Sequence, residues 1–169
     1  QVIAEVLNPG HRSNICVLSG PNLSREIAQG LPASTVIAAE NAPLAEKVKG
    51  IMSSPTFQVF TSDDVVGVEL GGAVNNIIAR GAGMADGLGY GNNAKAAYVA
   101  RGLTEITRLG VAAGANPITF IGLACLGDLL ATSSSPLSRN HTLGEGLAQG
   151  RSLEEIKASM GSVVEGVAT

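Results

Sequence analysis

The sequence predicts a mainly α-helical protein in which a helical body follows a short α/β segment. Three short runs of β-branched and aromatic residues, at 15–18, 34–38 and 57–60, fall within the first 62 of the 169 residues. From Asp63 onward, apolar residues recur at helical spacings of three and four, and no strand pattern returns. We therefore divide the chain into 1–62, the tail of an α/β domain, and 63–169, an incomplete helical domain.

In the α/β tail, residues that typically start or end helices lie between the predicted strands. Between the strands, residues 22–30 predict a helix with Asn22 as N-cap and Gly30 as its end, and residues 42–53 predict a second helix that opens near Pro43. Three strands are too few for a stable closed sheet. We therefore expect the sheet to continue in sequence outside this chain.

The helical body begins with two long helices. Asp63 or Asp64 is a candidate N-cap for the first, and the second is predicted from about Asn92 to Gly114, with one apolar stripe along it. After a turn at 116–117, we expect a helix that ends between residues 122 and 127, and then a serine-rich loop through 133–136. Helices at 138–149 and from 152 to about 160 follow, the last opened by a Ser152–Glu155 capping box.

Composition and charge exclude several classes of function. The formal net charge of −3 and the aromatic content of 3% argue against a nucleic-acid partner. Cys16, Cys125, His11 and His141 lack the spacing of a zinc site, so we expect no metal and a reducing, cytoplasmic setting. Residues 109–127 carry no charge, but Asn116-Pro117 and four glycines interrupt them, which favours two short buried helices over a membrane span. No signal peptide is visible, and because the first residue is Gln1 rather than Met, we expect a fragment.

Glycine is unusually frequent in the helical body. Thirteen of the 22 glycines lie between Gly67 and Gly127, although an interior glycine costs a helix about 1 kcal/mol relative to alanine. Close helix packing is the simpler explanation, and a ligand pressed against the backbone at 71–72 or 87–91 is the alternative. The 87–91 loop reads GxGxG and is not preceded by a strand pattern, so it is not a dinucleotide-binding fingerprint.

Three polar segments are candidates for ligand binding. Ser138-Arg139-Asn140 opens a predicted helix, where backbone N–H groups and a guanidinium suit a phosphate, although an ordinary cap beside a solvated arginine is the alternative. Asp128 either caps the next segment or bonds a ligand hydroxyl. Residues 19–22 form a strand-to-helix turn, the place where α/β sheets often bind ligands, although as a lone tetrapeptide it can be only a turn.

Six motifs, taken together, carry a family resemblance. They are Val17-Leu18-Ser19-Gly20-Pro21-Asn22, Gly67-Val68-Glu69-Leu70-Gly71-Gly72-Ala73-Val74, Ala82-Gly83-Met84-Ala85-Asp86-Gly87, Arg101-Gly102-Leu103-Thr104-Glu105, Gly127-Asp128-Leu129 and Ser138-Arg139-Asn140. In this order and at these separations, the chain resembles the bacterial-type NAD(P)-dependent glycerol-3-phosphate dehydrogenases over about residues 15–166. The resemblance implies the last strands of a Rossmann domain followed by a helical substrate domain like the C-terminal domain of 6-phosphogluconate dehydrogenase.

The resemblance also implies roles for individual residues. The implied substrate-binding residues, for dihydroxyacetone phosphate or glycerol 3-phosphate, are Gly20, Asn22, Asp128, Ser138, Arg139 and Asn140. The implied contacts to NAD or NADP are Ser24, Arg139, Val163 and Glu165. The implied activity is the reduction of dihydroxyacetone phosphate for phospholipid synthesis in the cytoplasm, and a homodimer is a further hypothesis.

Two departures from the family pattern bear on activity. Asn75 stands where the family has a lysine that donates a proton to the substrate carbonyl, and loss of such an acid costs about 100- to 10,000-fold in rate. The chain also lacks a GxGxxG after a strand, so we expect the fragment alone to be inactive. Two alternatives stay open. One is a non-catalytic sugar-phosphate-binding or dimerising module, and the other is a hydroxy-acid dehydrogenase of the same plan.

Overall fold

A computed structural model describes residues 2–160, and its three strands form one small sheet. The strands are β1 (Val17–Ser19), β2 (Ala33–Ala38) and β3 (Phe57–Ser62), in the order β1-β2-β3. β2 and β3 are parallel, whereas β1 runs antiparallel to β2 with Leu18 opposite Ile37. The three predicted strands are present, and their ends differ from the expected ones by no more than two residues.

Helices make up most of the remaining described residues. The α-helices are α1 (Val2–Val6), α2 (Ser24–Ala28), α3 (Ala42–Met52), α4 (Val65–Gly87), α5 (Gly91–Ala112), α6 (Pro117–Phe120), α7 (Asp128–Ser134), α8 (Arg139–Ala148) and α9 (Leu153–Met160). A 3₁₀ helix (Pro9–Asn14) precedes β1, and a π-helical turn (Leu123–Gly127) leads into α7. The fold class is therefore mainly α with a small sheet, as predicted. The domain division at residues 62 and 63 stays a prediction.

Side-chain caps fix the helix starts that the sequence predicted. The backbone N–H of Gly67 donates to Asp64 Oδ1 at 2.9 Å, so Asp64 caps α4. The capping box of α9 is complete, because Glu155 N–H donates to Ser152 Oγ at 3.2 Å and Ser152 N–H donates to Glu155 Oε2 at 2.8 Å. These bonds satisfy backbone donors that a helix start otherwise leaves open.

Two local predictions were wrong. Asn22 does not cap α2, because its side-chain amide instead donates to Thr35 Oγ1 at 3.0 Å and Leu23 occupies the cap position. Residues 133 and 134 belong to α7 rather than to a loop. Leu129 and Ser133 lie four residues apart and are both buried where α7 packs against α4, and this burial outweighs the weak helix propensity of serine.

α4 is the central element of the helical body and packs against α5, α7 and α8. Its approach to α8 depends on glycine, because a Cβ built on Gly83 would lie 2.8 Å from the carbonyl carbon of His141, and one on Gly144 would lie 2.8 Å from that of Arg80. No side chain fits between the two backbones there. Helix packing therefore explains glycine at this contact.

The apolar segment Pro117–Ser134 is long enough to cross a membrane by length and composition alone. It is not one continuous α-helix, because Ile121 and Gly122 separate α6 from the π-helical turn. Asn116 Oδ1 accepts from the backbone N–H of Ile118 at 3.0 Å and starts α6 at the predicted turn. Core helices of water-soluble proteins satisfy the same length criterion.

Candidate functional site

A cleft of about 990 Å³ opens at the end of β1, between α2, α4, α7, α8 and α9. Six of the residues predicted for the site line it, and they come from segments far apart in the sequence. They are Gly20, Asn22, Ser24, Asp128, Arg139 and Asn140. Ser138 and Asn75 do not line the cleft, and Val163 and Glu165 lie outside the described residues.

The turn after β1 is held in place by a short series of hydrogen bonds. Ser19 Oγ donates to the carbonyl oxygen of Ala124 at 2.9 Å, which ties β1 to the π-helical turn. Thr35 Oγ1 donates to the Ser19 carbonyl at 3.1 Å and accepts from Asn22 Nδ2 at 3.0 Å. A Cβ on Gly20 would lie 3.0 Å from Thr35 Cα, so the backbone can pass β2 this closely only as glycine.

The side-chain oxygen of Asn22 is unusual in this turn. This oxygen is buried, and it has no hydrogen-bond partner among the residues that the structure describes. A buried amide oxygen without a partner costs about 1–3 kcal/mol, so such a group at a cleft wall is suited to a ligand donor or an ordered water.

Asn75 is buried beneath the cleft rather than exposed in it. Its Nδ2 donates to the Cys125 carbonyl oxygen at 2.9 Å and to Asp128 Oδ2 at 3.0 Å, and its Oδ1 accepts from Cys125 Sγ at 3.4 Å. Both amide hydrogens are therefore used inside the protein. The amide is therefore not placed to polarise a substrate carbonyl.

Asp128 links Asn75 to the cleft. Its carboxylate accepts from Asn75 and does not cap α7, so the cap alternative is wrong. Burial raises the pKa of Asp128 above its ordinary value, although the Asn75 hydrogen bond opposes the shift. A carboxyl in this position can accept from a ligand hydroxyl or, when protonated, donate to a ligand oxygen.

The start of α8 contains a helix cap, Ser138, followed by two residues of the cleft wall, Arg139 and Asn140. Ser138 Oγ accepts from the backbone N–H of His141 at 3.3 Å and caps α8. Arg139 and Asn140, the first two residues of α8, line the cleft. The positive end of the helix dipole and a guanidinium therefore lie on the same wall, an arrangement that suits an anion.

Sequence reasoning missed the residues that support this wall. Arg80 Nη2 donates to Asn140 Oδ1 at 2.9 Å, and Asn140 Nδ2 donates to Asn76 Oδ1 at 2.8 Å. Asn76 lines the cleft, as does Gly72 one turn earlier on α4. The available signal was the i, i+4 spacing of Asn76 and Arg80, which places two polar side chains on one helix face.

A charged cluster anchors α8 behind the cleft. His141 Nε2 and Lys95 Nζ each lie 2.8 Å from Asp86 Oδ2, so residues of α4, α5 and α8 meet at one carboxylate. Burial acts to raise the pKa of Asp86, but hydrogen bonds and charges from Lys95 and His141 outweigh it and hold that pKa below its ordinary value. This cluster fixes the start of α8 relative to α4.

The cleft wall contains four charged side chains within residues 2–160. They are Arg25, Glu69, Asp128 and Arg139. In this part of the chain no lysine, histidine, tyrosine or cysteine lines the cleft, and no group of three metal-ligating side chains occurs. The charged groups that do line the wall can bind a ligand and polarise it.

Comparison with protein families identifies the relatives of this chain. Residues 64–169 match the model for the NAD-dependent glycerol-3-phosphate dehydrogenase C-terminus, and residues 1–45 match the model for its N-terminus. Glycerol-3-phosphate dehydrogenase [NAD(P)+] of Dehalococcoides mccartyi strain 195 is 58% identical over the whole chain, which covers 47% of that protein. Its counterpart in Synechocystis is 55% identical over 92% of the chain and 49% of its own length.

Solved structures show the same relationship. Glycerol-3-phosphate dehydrogenase from Coxiella burnetii superimposes with a TM-score of 0.88 at 39% identity, over 90% of this chain and 47% of its own. The enzyme of Dunaliella salina gives a TM-score of 0.86 at 31% identity, over 91% of this chain and 28% of its own. The chain thus spans about half the length of the curated relatives that it matches. With a family model matched over residues 64–169, the chain belongs to the NAD-dependent glycerol-3-phosphate dehydrogenase family.

Proposed function

We propose that this chain, joined to the remaining length of its relatives, forms the triose-phosphate side of the active site of an NAD(P)-dependent glycerol-3-phosphate dehydrogenase. The observation that supports this most is the convergence on one cleft of six residues that the family resemblance implies for the site. The α/β tail contributes Gly20, Asn22 and Ser24, and the helical body contributes Asp128, Arg139 and Asn140.

Two sets of groups on the cleft wall suit the two kinds of group on a phosphorylated triose. Arg139, Asn140 and the start of α8 offer donors and positive charge to a phosphate. Asp128 and the buried oxygen of Asn22 offer acceptors to hydroxyl groups. These groups hold the carbon skeleton between the sheet edge and α7, where its reacting carbon can be kept in one orientation.

The cofactor side of the cleft is only partly present in this chain. Ser24 and Arg139 line the cleft and are the described residues that would contact NAD or NADP, while the pyrophosphate cradle has no counterpart in this sequence. When bound, the reduced nicotinamide supplies the hydride.

A second candidate function is favoured by the position of Asn75. A side-chain amide is too weak an acid to donate a proton to a substrate carbonyl, and both amide hydrogens of Asn75 are engaged within the protein, so it does not hydrogen-bond that carbonyl either. A protein that binds triose phosphate without turning it over would show this same arrangement.

The enzyme proposal includes four further expectations. They are a homodimer, a cytoplasmic location, the absence of a nucleic-acid partner and a role in phospholipid synthesis.

One pair of proteins tests the proposal. This chain replaces the matching segment of the Dehalococcoides mccartyi relative, and NAD(P)H oxidation with dihydroxyacetone phosphate is followed for Asn75 and for Asn75→Lys. Recovery of turnover by about 100-fold or more in Asn75→Lys, as expected for a restored acid, would support the dehydrogenase. If neither protein turns over while both still bind glycerol 3-phosphate, the non-catalytic function replaces it. If neither binds glycerol 3-phosphate, both functions are wrong.

A further inference from the structure

Three side chains form a series of hydrogen bonds at the wall of the cleft that contains Arg139 and Asn140, and each bond in the series has a defined donor and acceptor. Arg80 donates to the oxygen of the Asn140 side chain at 2.9 Å, and the nitrogen of that amide donates to the oxygen of Asn76 at 2.8 Å. Asn76 and Asn140 both line the cleft, whereas Arg80 does not. Arg80 therefore contacts the wall from behind.

The direction of this series follows from the chemistry of its first member. A guanidinium only donates hydrogen bonds, so the group of Asn140 that faces it must be the oxygen. The nitrogen of Asn140 then faces Asn76, and the group of Asn76 that receives it must also be an oxygen. With both oxygens engaged, the hydrogens of Asn76 Nδ2 remain for the cleft, apart from a long 3.5 Å contact to the Ala73 carbonyl.

We propose that Arg80 is a positioning residue for the anion site. It acts through Asn140 and fixes the orientation of both amides, so that the wall presents N–H donors to a phosphate group. This inference rests on the proposed function and adds a residue to it. Without Arg80 both amides can rotate by half a turn, and the oxygen of Asn76 then faces the cleft. A carbonyl oxygen beside phosphate oxygens repels them.

The effect of removing Arg80 is measured as a change in the affinity of the full chain for phosphate. Inorganic phosphate and sn-glycerol 3-phosphate are titrated by calorimetry into the wild type, Arg80→Met, Arg80→Lys and the control Arg108→Met, an arginine that is largely exposed on α5 and paired with Glu105. We expect Arg80→Met to weaken binding roughly tenfold or more, the scale of one charge-assisted hydrogen bond. Arg80→Lys should restore much of the affinity, because ammonium is also a pure donor, and Arg108→Met should leave it unchanged.

A double-mutant cycle separates positioning from charge alone. If Arg80 acts through Asn140, Arg80→Met costs little further affinity in an Asn140→Ala background. Full additivity of the two losses overturns the proposal, since it would mean that Arg80 attracts phosphate directly. Equal affinity of the wild type and Arg80→Met, with thermal unfolding showing both folded, overturns it as well but leaves the site intact. A folded wild type that binds neither ligand removes the proposed function itself.

Discussion

Asn75 and Asp128 are joined by a hydrogen bond of 3.0 Å from Nδ2 to Oδ2, and this bond connects the centre of α4 to the wall of the cleft. A second bond of 2.9 Å from the same nitrogen reaches the carbonyl oxygen of Cys125 in the π-helical turn. Asn75 therefore has a structural role here. Its amide donates to the partly buried Asp128 carboxylate and to the Cys125 carbonyl, which also accepts from the Asp128 backbone N–H.

Asn75→Ala should destabilise the chain by about 1–3 kcal/mol, because it removes the side-chain donor to the partly buried Asp128 carboxylate and one of the two donors to the Cys125 carbonyl. The free energy of unfolding, measured by urea denaturation, tests this. Asn93→Ala, at an exposed position on α5, is the matched control and should change the stability by less than about 0.5 kcal/mol. Equal effects of the two substitutions would contradict a structural role for Asn75.

Asp128→Asn should stabilise the chain at neutral pH. The pKa of Asp128 in the folded chain is raised above its ordinary value of 3.8, mainly by burial, so folding favours the protonated form. Its contribution is fully present below pH 3.8 and is lost as the pH rises through the raised pKa. Denaturation of both proteins from pH 3 to 7 should show a gap in stability that widens with pH.

The exposed substitution Asp63→Asn controls for the loss of one negative charge. A gap between wild type and Asp128→Asn that stays constant over this pH range, or that matches the gap for Asp63→Asn, would argue against a pKa raised by burial.

The two cysteines should differ sharply in reactivity. Burial, reinforced by the charge of Asp128, raises the pKa of the Cys125 thiol to about 12, whereas Cys16 is partly exposed. Iodoacetamide at pH 8 should therefore label Cys16 in the native chain and reach Cys125 only after denaturant is added. Peptide mass spectrometry locates the label, and rapid native labelling of Cys125 would contradict its burial between α4 and α6.

Glycine-to-alanine substitutions should have opposite effects at two helical positions. Gly144→Ala places a methyl group against the backbone of α4 at Arg80 and should cost at least about 1–3 kcal/mol, the usual penalty of overpacking. Gly50→Ala on α3 meets no atom within 4 Å and should stabilise the chain by about 0.4–1 kcal/mol. Thermal unfolding of both variants checks the pair, and a neutral Gly144→Ala would mean that α4 and α8 are not so closely packed.

Local rules were enough to predict most elements of the fold. The strands and the caps at Asp64, Ser138 and Ser152 depend on neighbours within a few residues, so their signals are contained in short windows of sequence. Asn22 and α7 were mispredicted because distant residues decide them. Thr35 on the next strand competes for the Asn22 amide, and burial against α4 makes a helix of a serine-rich segment.

The sequence predicted most of the residues that line the candidate site, but not the hydrogen bonds between their side chains. The resemblance predicted the residues, whereas the hydrogen bonds that orient their side chains join α4 to α7 and α8 across large separations in sequence. No spacing rule shows that Asn75 turns toward Asp128, or that Arg80 reaches Asn140. The Arg80–Asn140 contact depends on the close approach of α4 and α8 at Gly83 and Gly144, and the Asn75–Asp128 contact lies one turn from Gly71, where α4 packs against the π-helical turn.

The most direct test of the account is a titration of the isotope-labelled full chain with sn-glycerol 3-phosphate, followed by backbone and side-chain amide NMR signals. We expect saturable shifts at Gly20, Asp128, Arg139 and Asn140, with none in α3, and glycerol without the phosphate should produce far weaker effects. Saturable shifts at these four residues would establish the cleft as the binding site for a phosphorylated triol. Shifts that do not saturate, or that fall elsewhere on the chain, would contradict it.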